Sequence, residues 1–274
     1  MNADDIIIFT DLDGSLLNHD DFQFKKIRSF ILDCLNCGIK IIPNSSKTKT
    51  EIEIFSNQLG KQLPFIVENG AAVHNLDLLN VKFKSNTNSI VFSRTIDEII
   101  DVFNKKVPTI FKDKCLFIKN MKKQKQKEIL GLNDDYLPYA LNRGYSTPFI
   151  FNGSPELVDE FKLILENLGM KLHQGGRVLN ISDDCSKGTA LNTLVNKLKN
   201  DFFLTPYVIA VGDSPNDISM LKEANQPCVV PLPNKNNLND LKMNNILRAK
   251  QCAPDGWEEV IRLSLKKINI NLIG

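Results

Sequence analysis

The chain has 274 residues, of which 42% are hydrophobic and 24% are charged, and its formal net charge at pH 7 is +2. This composition is typical of a globular protein and argues against charge-driven binding to nucleic acid or to a membrane surface. No stretch approaches the ~20 apolar residues of a membrane span, and the acidic start Met1–Asp5 is unlike a basic secretory signal. We therefore expect a cytoplasmic protein without nucleic-acid or membrane partners, present as a monomer or weak homodimer.

An apolar run near the N-terminus ends in two carboxylates. Ile6–Phe9 has no polar break, which predicts a strand buried on both faces. Asp11 and Asp13 follow, and Gly14 behind them permits a sharp turn. Charged groups rarely stay unpartnered at the end of a buried strand. The stretch alone fits either solvated acids at a turn or a catalytic carboxylate pair on a metal.

The next segment alternates helical and strand patterns. Apolar residues recur at helical spacing over Phe24–Leu35, and Ile39–Pro43 reads as a second strand. Thr48 and Glu51 form a capping box that predicts a helix start, and Pro64–Val67 reads as a third strand. The order strand, helix, strand, helix, strand predicts a doubly wound α/β domain, in which ligands bind at the carboxyl ends of the strands.

From about Val81 the pattern changes to short strands and separate helices, which predicts an α+β insertion. Its predicted elements are strands at Val81–Phe83, Ile90–Phe92 and Phe149–Phe151, helices beginning at Thr95 and at Ser154-Pro155, helical stretches Met121–Leu130 and Asp134–Asn142, and a hairpin of Met170–His173 with Arg177–Ile181 around Gly175-Gly176.

The α/β pattern returns after the insertion. It predicts a helix over Lys187–Leu198, strands at Tyr207–Val211 and Pro227–Val230, and a closing helix over Trp257–Leu265. We therefore expect a core formed by residues 1–83 and 186–274, with an α+β cap over residues 84–185.

Polar residues cluster at the carboxyl ends of the predicted core strands. They are Asp11, Asp13, Ser45, Ser46, Glu68, Asn69, Asp213 and Asp217, with Lys187 opening the helix after the insertion. In a parallel sheet these groups face one crevice. Acids, hydroxyls and one lysine together indicate a Mg²⁺ and phosphate site, because Mg²⁺ prefers oxygen ligands and often shares them with a substrate phosphate.

Four motifs in chain order resemble those of the haloacid dehalogenase superfamily of phosphatases. They are Asp11-Leu12-Asp13-Gly14-Ser15, Ser45, Lys187 and Gly212-Asp213-Ser214-x-Asn216-Asp217. The resemblance implies an α/β fold, with a Rossmann-like parallel-sheet core and an inserted α+β cap of the C2B type.

Four further stretches resemble the mannosyl-3-phosphoglycerate phosphatases of that superfamily. They are Arg143-Gly144-Tyr145-Ser146-Thr147-Pro148-Phe149, Gln174-Gly175-Gly176-Arg177, Ser45-Ser46-Lys47-Thr48 and Pro254-x-Gly256-Trp257. Gly144 and Thr147 depart from the pattern of that family, where an acid is expected in place of Thr147. We expect these departures to alter the sugar end of the pocket.

The resemblance also implies residue roles. It makes Asp11 the nucleophile that forms an aspartyl-phosphate, Asp13 the general acid and base, and Lys187 the third catalytic residue. It implies Mg²⁺ bound by Asp11, Asp13, Asp213 and Asp217. It implies substrate and phosphate contacts from Ser45, Ser46, Lys47, Glu68, Asn69, Arg143, Ser146, Gly175, Gly176, Arg177 and Asn216.

Arg177 bears on the choice of substrate. The arginine fork suits a carboxylate, although a single arginine is more often part of a surface ion pair. The resemblance favours a small phosphorylated sugar acid, a glycosyl-3-phosphoglycerate such as the mannosyl form. The alternatives are a sucrose-phosphate or general sugar-phosphate phosphatase, a phosphomutase, and a non-catalytic binding module. The presence of Asp11, Asp13, Lys187 and Asp213 argues against the last of these.

Overall fold

The protein is described here by a computed structural model that covers residues 1–79, 81, 88–174, 178–233, 238 and 240–272. Two of the sequence-based predictions fall partly or wholly on other residues. Most of the predicted strand Val81–Phe83 and the glycine turn with Arg177, residues 175–177, lie outside the described residues.

The first segment of the chain alternates strands and helices. Its elements are β1 (Ile6–Thr10), α1 (Arg28–Asn36), β2 (Lys40–Pro43), α2 (Lys49–Leu59), β3 (Phe65–Val67), β4 (Ala72–His74) and β5 (Ser89–Val91). Helix α2 begins at the predicted capping box, since Glu51 N donates to Thr48 Oγ1 and Thr48 N donates to the Glu51 carboxylate.

The middle of the chain forms the predicted α+β insertion. Its elements are α3 (Ile96–Lys106), α4 (Thr109–Lys112), β6 (Cys115–Phe117), α5 (Lys123–Leu130), α6 (Leu137–Leu141), β7 (Ser146–Phe151), α7 (Pro155–Asn167), β8 (Met170–Gln174) and β9 (Leu179–Asp183). The strands form an antiparallel sheet in the order β6-β7-β9-β8. One face packs Phe149 and Ile181 against α3 and α7. Because side chains alternate along a strand, Pro148, His173 and Asn180 lie on the opposite face.

The last segment returns to the α/β pattern. Its elements are α8 (Lys187–Phe202), β10 (Tyr207–Gly212), α9 (Ile218–Lys222), β11 (Gln226–Val229), β12 (Leu247–Arg248) and α10 (Asp255–Lys267). Strands from both ends of the chain form a parallel sheet in the order β12-β11-β10-β1-β2. Among the residues that the structure describes, no helix has the length and apolar character to cross a bilayer.

Strand β1 lies at the topological switch point of this sheet. Ile6 and Ile8 contribute to the apolar cluster of α1, α2 and α10, whereas Ile7 and Phe9 contribute to that of α8 and α9. The strand is therefore buried on both faces, as its apolar run predicts. The chain leaves β1 towards β2 on one side and returns to β10 on the other, which opens a crevice at the carboxyl ends of these strands.

The predicted α/β fold class is confirmed, but the third strand differs from expectation. Strand β3 pairs antiparallel with β4, and β4 with β5, instead of joining the parallel sheet as a full strand. A single parallel bridge, Asn44 with Ile66, links it to the end of β2. Pro43 has no N–H to donate to a neighbouring strand, so the pairing begins only beyond it.

Candidate active site

The carboxyl ends of β1 and β10 bring three acids and one lysine together. Asp11 follows β1, while Asp213 follows β10 and Asp217 closes the short 3₁₀ turn after it. Lys187 is the first residue of α8, which Ser186 caps. All four are buried, and Lys187 is only 1% exposed. Four ionisable side chains buried together must neutralise one another or bind an ion.

Lys187 bridges two of the acids. Its Nζ lies 2.6 Å from Asp11 Oδ1 and 2.6 Å from Asp217 Oδ1. Burial alone would lower the pKa of Lys187, but the two carboxylates outweigh that effect and raise the pKa above its usual value. The lysine is therefore a permanent positive charge at the carboxyl end of β1.

One lysine does not neutralise three carboxylates. Burial raises the pKa of Asp11 to about 6, although Lys187 partly opposes the rise. Burial, followed by the charges of Asp217 and Asp11, raises the pKa of Asp213 well above its usual value. One carboxylate oxygen from each of Asp11, Asp213 and Asp217 lies within 4.8 Å of the other two. This unbalanced negative charge on oxygen donors fits a hard divalent cation such as Mg²⁺.

Local hydrogen bonds hold this acidic cluster in place. Ser15 Oγ donates to Asp213 Oδ1 at 2.7 Å. Asp217 Oδ2 accepts from the backbone N–H groups of Asp213 and Ser214, both at 3.0 Å. The turn after Asp13 depends on Gly14, whose φ is +85° and where a Cβ would lie 3.2 Å from Asp213 Cγ.

Asp13 lies beside this cluster but pairs differently. Its Oδ2 is 2.9 Å from Lys47 Nζ, which also lies 3.4 Å from Glu51 Oε1 and 4.8 Å from the ring centre of Phe22. Burial alone would lower the pKa of Lys47, but Asp13 and Glu51 raise it above its usual value. Asp13 Oδ1 is buried and has no hydrogen-bond partner among the described residues. Within the described residues, Asp13 thus has one oxygen paired with Lys47 and one buried oxygen without a partner.

The loops after β2 and β3 are tied to each other. Ser45 O accepts from Asn69 N at 2.9 Å, and Ser45 Oγ accepts from Lys47 N at 3.3 Å. Asn69 Oδ1 accepts from Asn216 Nδ2 at 3.1 Å, which connects this loop to the turn after β10. Ser46 lies on the cavity wall. The loops after β2, β3 and β10 are therefore joined, and of their polar residues Ser46 and Asn216 line the cavity that contains Asp11.

Glu68 joins the core to the insertion. Its carboxylate accepts from Gly144 N at 2.8 Å, Tyr145 N at 3.2 Å and Ser146 Oγ at 2.6 Å. Arg143 Nε lies 3.5 Å from Glu68 Oε2. We call Glu68 and residues 143–146 the core–cap clasp. The sequence predicts Glu68, Arg143 and Ser146 as substrate contacts, and the structure brings them together as partners of one another.

Arg143 has further protein partners. Its Nη2 donates to Ser46 O at 2.6 Å, and its Nε donates to Ser146 Oγ at 2.9 Å. The side chain also lines the cavity. Gly175, Gly176 and Arg177, the other predicted contacts from the insertion, lie outside the described residues.

The crevice forms a cavity of about 220 Å³ between core and insertion. The core contributes Asp11, Asp13, Lys47 and Asp213 to its lining, and the insertion contributes Arg143 and Asn180. Pro148 lines it too, whereas Thr147, predicted to affect the pocket, does not. Asn180 is one of several lining residues that the sequence does not single out as site residues, and for it the apolar–polar alternation over Leu179–Ser182 is the signal that could have identified a half-polar strand.

Comparison with known sequences places the chain in a family. The sequence profile of the haloacid dehalogenase-like hydrolases matches residues 8–231. A glucosyl-3-phosphoglycerate/mannosyl-3-phosphoglycerate phosphatase of Persephonella marina is 33% identical over 274 residues, covering 96% of this chain and 98% of the relative. A mannosyl-3-phosphoglycerate phosphatase of Pyrococcus horikoshii is 30% identical over 228 residues, covering 82% and 90%.

Solved structures share the fold at low identity. A Thermotoga maritima structure has a TM-score of 0.64 and 18% identity, covering 96% of this chain and 97% of its own. The sucrose-phosphatase of Synechocystis, solved with sucrose and phosphate, has a TM-score of 0.60 and 12% identity, covering 96% and 98%. The family predicted from the motifs is confirmed, and phosphatase is the activity named for both sequence relatives. The chain belongs to the haloacid dehalogenase-like hydrolases.

Proposed function

We propose that this hydrolase is a Mg²⁺-dependent phosphatase that acts on a glycosyl-3-phosphoglycerate, the mannosyl form first and the glucosyl form next. The observation that carries the proposal is the buried Lys187, held between Asp11 and Asp217 beside Asp213. The names of the relatives, whose alignments cover 96%, 96% and 82% of the chain, support the substrate class.

Asp11 is the proposed nucleophile. Lys187 holds its Oδ1 at 2.6 Å, which orients the carboxylate and leaves the other oxygen to attack phosphorus. The bond from phosphorus to the glycerate oxygen then breaks, and the phosphoryl group is carried on Asp11. A carboxylate 4 Å from a phosphate charge is repelled by about 4 kcal/mol at an effective dielectric near 20, and the charge of Lys187 offsets part of this.

Asp13 is the proposed proton carrier. It gives a proton to the departing glycerate oxygen and then accepts one from the water that hydrolyses the aspartyl-phosphate. Its buried Oδ1 has no hydrogen-bond partner within the described ranges of the chain, which supports this role, since that atom is available to a leaving group or a water. Lys47 holds the second oxygen and so orients the carboxyl group.

The donor set supports a bound Mg²⁺. Asp11, Asp213 and Asp217 are the residues whose oxygens lie close enough together to hold it, and the sequence-based proposal adds Asp13. When bound, Mg²⁺ supplies positive charge that offsets the repulsion between Asp11 and the phosphoryl oxygens. Ser45, Ser46, Asn69 and Asn216 surround the phosphoryl position as proposed donors.

The proposed division of labour follows the two parts of the chain. Residues 1–83 and 186–274 act as the catalytic core, and residues 84–185 act as the cap that selects the substrate. Strand β5 belongs to the cap range by number, yet it pairs with β4. On sequence grounds we still propose that Arg177, which follows Gly175-Gly176, binds the glycerate carboxylate.

A substrate panel tests the proposal. The purified protein is incubated with mannosyl- and glucosyl-3-phosphoglycerate, 3-phosphoglycerate, sucrose 6-phosphate and p-nitrophenyl phosphate, with and without Mg²⁺, and released phosphate is measured. We expect the highest kcat/KM for a glycosyl-3-phosphoglycerate, and only with Mg²⁺. A higher kcat/KM for sucrose 6-phosphate than for either glycosyl-3-phosphoglycerate would contradict the proposed substrate and indicate a sucrose-phosphate phosphatase. Isomerisation of a sugar phosphate that depends on a bisphosphate activator, with no net release of phosphate, would indicate a phosphomutase.

A further inference from the structure

Asn180 lies in the wall of the cavity that faces the catalytic acids. It is on β9, the second strand from the edge of the insertion's sheet, and its side chain is on the face not covered by α3 and α7. The residue is 7% exposed and lines the same cavity as Asp11, Asp13 and Asp213. A polar side chain thus occupies a buried position on the cap wall of the candidate active site.

The amide oxygen of Asn180 has no hydrogen-bond donor in the part of the chain that the structure describes. Leaving a buried acceptor unpaired costs about 1–3 kcal/mol, and native proteins seldom keep one without a reason. The cross-strand neighbours do not supply a donor: Pro148 has none, and His173 Nε2 pairs with Ser182 Oγ at 2.8 Å. The acceptor is therefore available to a ligand in the cavity.

We propose that Asn180 is a specificity-determining residue whose Oδ1 accepts a hydrogen bond from a sugar hydroxyl of the substrate. The inference rests on the proposed function for the identity of that sugar. An acceptor oxygen needs a donor, and at neutral pH the phosphate and the carboxylate of a glycosyl-3-phosphoglycerate carry only acceptors. The hydroxyl groups of the sugar are the donors that remain. Asn180 therefore recognises the sugar, whereas the core residues bind the phosphate.

The central test replaces the amide with an apolar group of similar size. Asn180→Leu should lower kcat/KM for the glycosyl-3-phosphoglycerate about 10- to 100-fold and change that for p-nitrophenyl phosphate less than about 2-fold. Asn152→Leu makes the same change at an exposed position of the insertion and should leave both values unchanged. An equal loss on both substrates, or no loss on either, would overturn the proposal.

A second variant separates acceptance from donation. Asn180→Asp keeps an acceptor oxygen and removes the amide donors. Its negative charge should weaken the binding of all anionic substrates. The relevant quantity is therefore the ratio of kcat/KM between the glycosyl substrate and p-nitrophenyl phosphate. We expect this ratio to stay near the wild-type ratio in Asn180→Asp and to fall in Asn180→Leu. An equal fall in both variants would assign Asn180 to donation, against the proposal.

Thermal stability distinguishes a role in recognition from a structural role, because the two predict opposite changes in the Tm of Asn180→Leu. Because no described residue donates to the amide oxygen, Asn180→Leu should leave the Tm of the substrate-free protein unchanged or raise it. A lower Tm would indicate that Asn180 holds the sheet together and would contradict a role in recognition.

Substrate analogues identify the hydroxyl. For one monodeoxy sugar analogue, the kcat/KM of the wild type should fall by the same factor that Asn180→Leu causes on the parent substrate. The kcat/KM of Asn180→Leu should be the same for that analogue and for the parent substrate. If the wild type does not hydrolyse any glycosyl-3-phosphoglycerate, the proposed function fails separately, and the same comparison is made with sucrose 6-phosphate against p-nitrophenyl phosphate. Similar losses in wild type and variant for every analogue, or no turnover of any hydroxylated substrate, would refute the role of Asn180.

Discussion

The two walls of the cavity differ in charge and in how their residues are paired. The core wall holds Asp11 and Asp213 next to Lys187, with contacts to the lysine as short as 2.6 Å. The cap wall is mostly apolar, with Pro148 and Val178, and its polar groups are the amide of Asn180 and the guanidinium of Arg143, which is paired within the core–cap clasp. A wall of paired charges can bind phosphate and metal but discriminates poorly between sugars. A largely apolar wall with an unsatisfied amide can discriminate by shape and by a hydrogen bond.

The walls also differ in their backbone origin. The core residues lie in loops directly after parallel strands, where short motifs bring several functional groups to one point. The cap residues come from one face of an antiparallel sheet and from helices before it. Changes on the core wall should therefore affect all phosphate esters, and changes on the cap wall should affect sugars selectively. The following predictions examine that distinction, in order of expected effect.

Asp11→Asn should lower kcat at least about 10⁴-fold on every substrate, because the amide cannot form the aspartyl-phosphate. Phosphate release from p-nitrophenyl phosphate and from the glycosyl substrate measures the loss. Circular dichroism should show an intact fold, since Lys187 keeps its contact with Asp217. Wild-type turnover by the variant would exclude Asp11 as the nucleophile.

Asp13→Asn should lower kcat about 10²- to 10⁴-fold on the glycosyl substrate, because proton transfer to the leaving oxygen is lost. The loss should be smaller for p-nitrophenyl phosphate, whose leaving group needs little protonation. Comparing the two substrates in one preparation checks this. Equal losses would mean that Asp13 acts in orienting the phosphate and not in proton transfer.

Stability without Mg²⁺ should fall as pH rises from about 4 to about 6. The pKa of Asp11 is raised from 3.8 to about 6 in the folded protein, so the folded state binds more protons than the unfolded state in this range. Between these pH values, Asp11 alone should lower the free energy of unfolding by about 2 kcal/mol. Thermal unfolding across pH, with and without Mg²⁺, measures it, and Mg²⁺ should raise the Tm more at pH 8 than at pH 5 because protons compete with the metal. Asp11→Asn should make the metal-free profile less steep, with Asp213, whose pKa is also raised, contributing the rest, and an unchanged profile in that variant would contradict the assignment.

Glu68→Gln tests the core–cap clasp. The amide keeps one acceptor but loses the charge that supports the contacts to Gly144, Ser146 and Arg143. We expect about 1 kcal/mol lower stability and about 5-fold lower kcat/KM, equally on the glycosyl and aryl substrates, because the position of the whole cap is affected. Glu128→Gln, which changes an exposed ion pair with Lys125, is the control and should have less than about 0.5 kcal/mol of effect. A loss confined to the glycosyl substrate would place Glu68 in sugar recognition.

Much of the core could be predicted from local sequence. The apolar run of β1, the capping box of α2 and the acids after β1 and β10 are each encoded within about ten residues. Local patterns of this kind depend on backbone periodicity and capping, which distant parts of the chain modify little. The pairing of β3 could not be predicted in the same way, because a three-residue strand fits either a parallel or an antiparallel sheet until its neighbours are known.

The residues of the candidate site also fall into those that local sequence predicts and those that only the tertiary structure reveals. The residue types of Asp11, Asp13 and Lys187 and their places at strand and helix ends follow from the amino-acid sequence, since their spacing from the flanking apolar runs sets where they emerge. The engagement of Glu68 with residues 143–146 and the exposure of Asn180 to the cavity do not follow from it. Both depend on how the insertion packs over the core. That packing joins residues far apart in the chain, and no periodicity or motif within either segment records it.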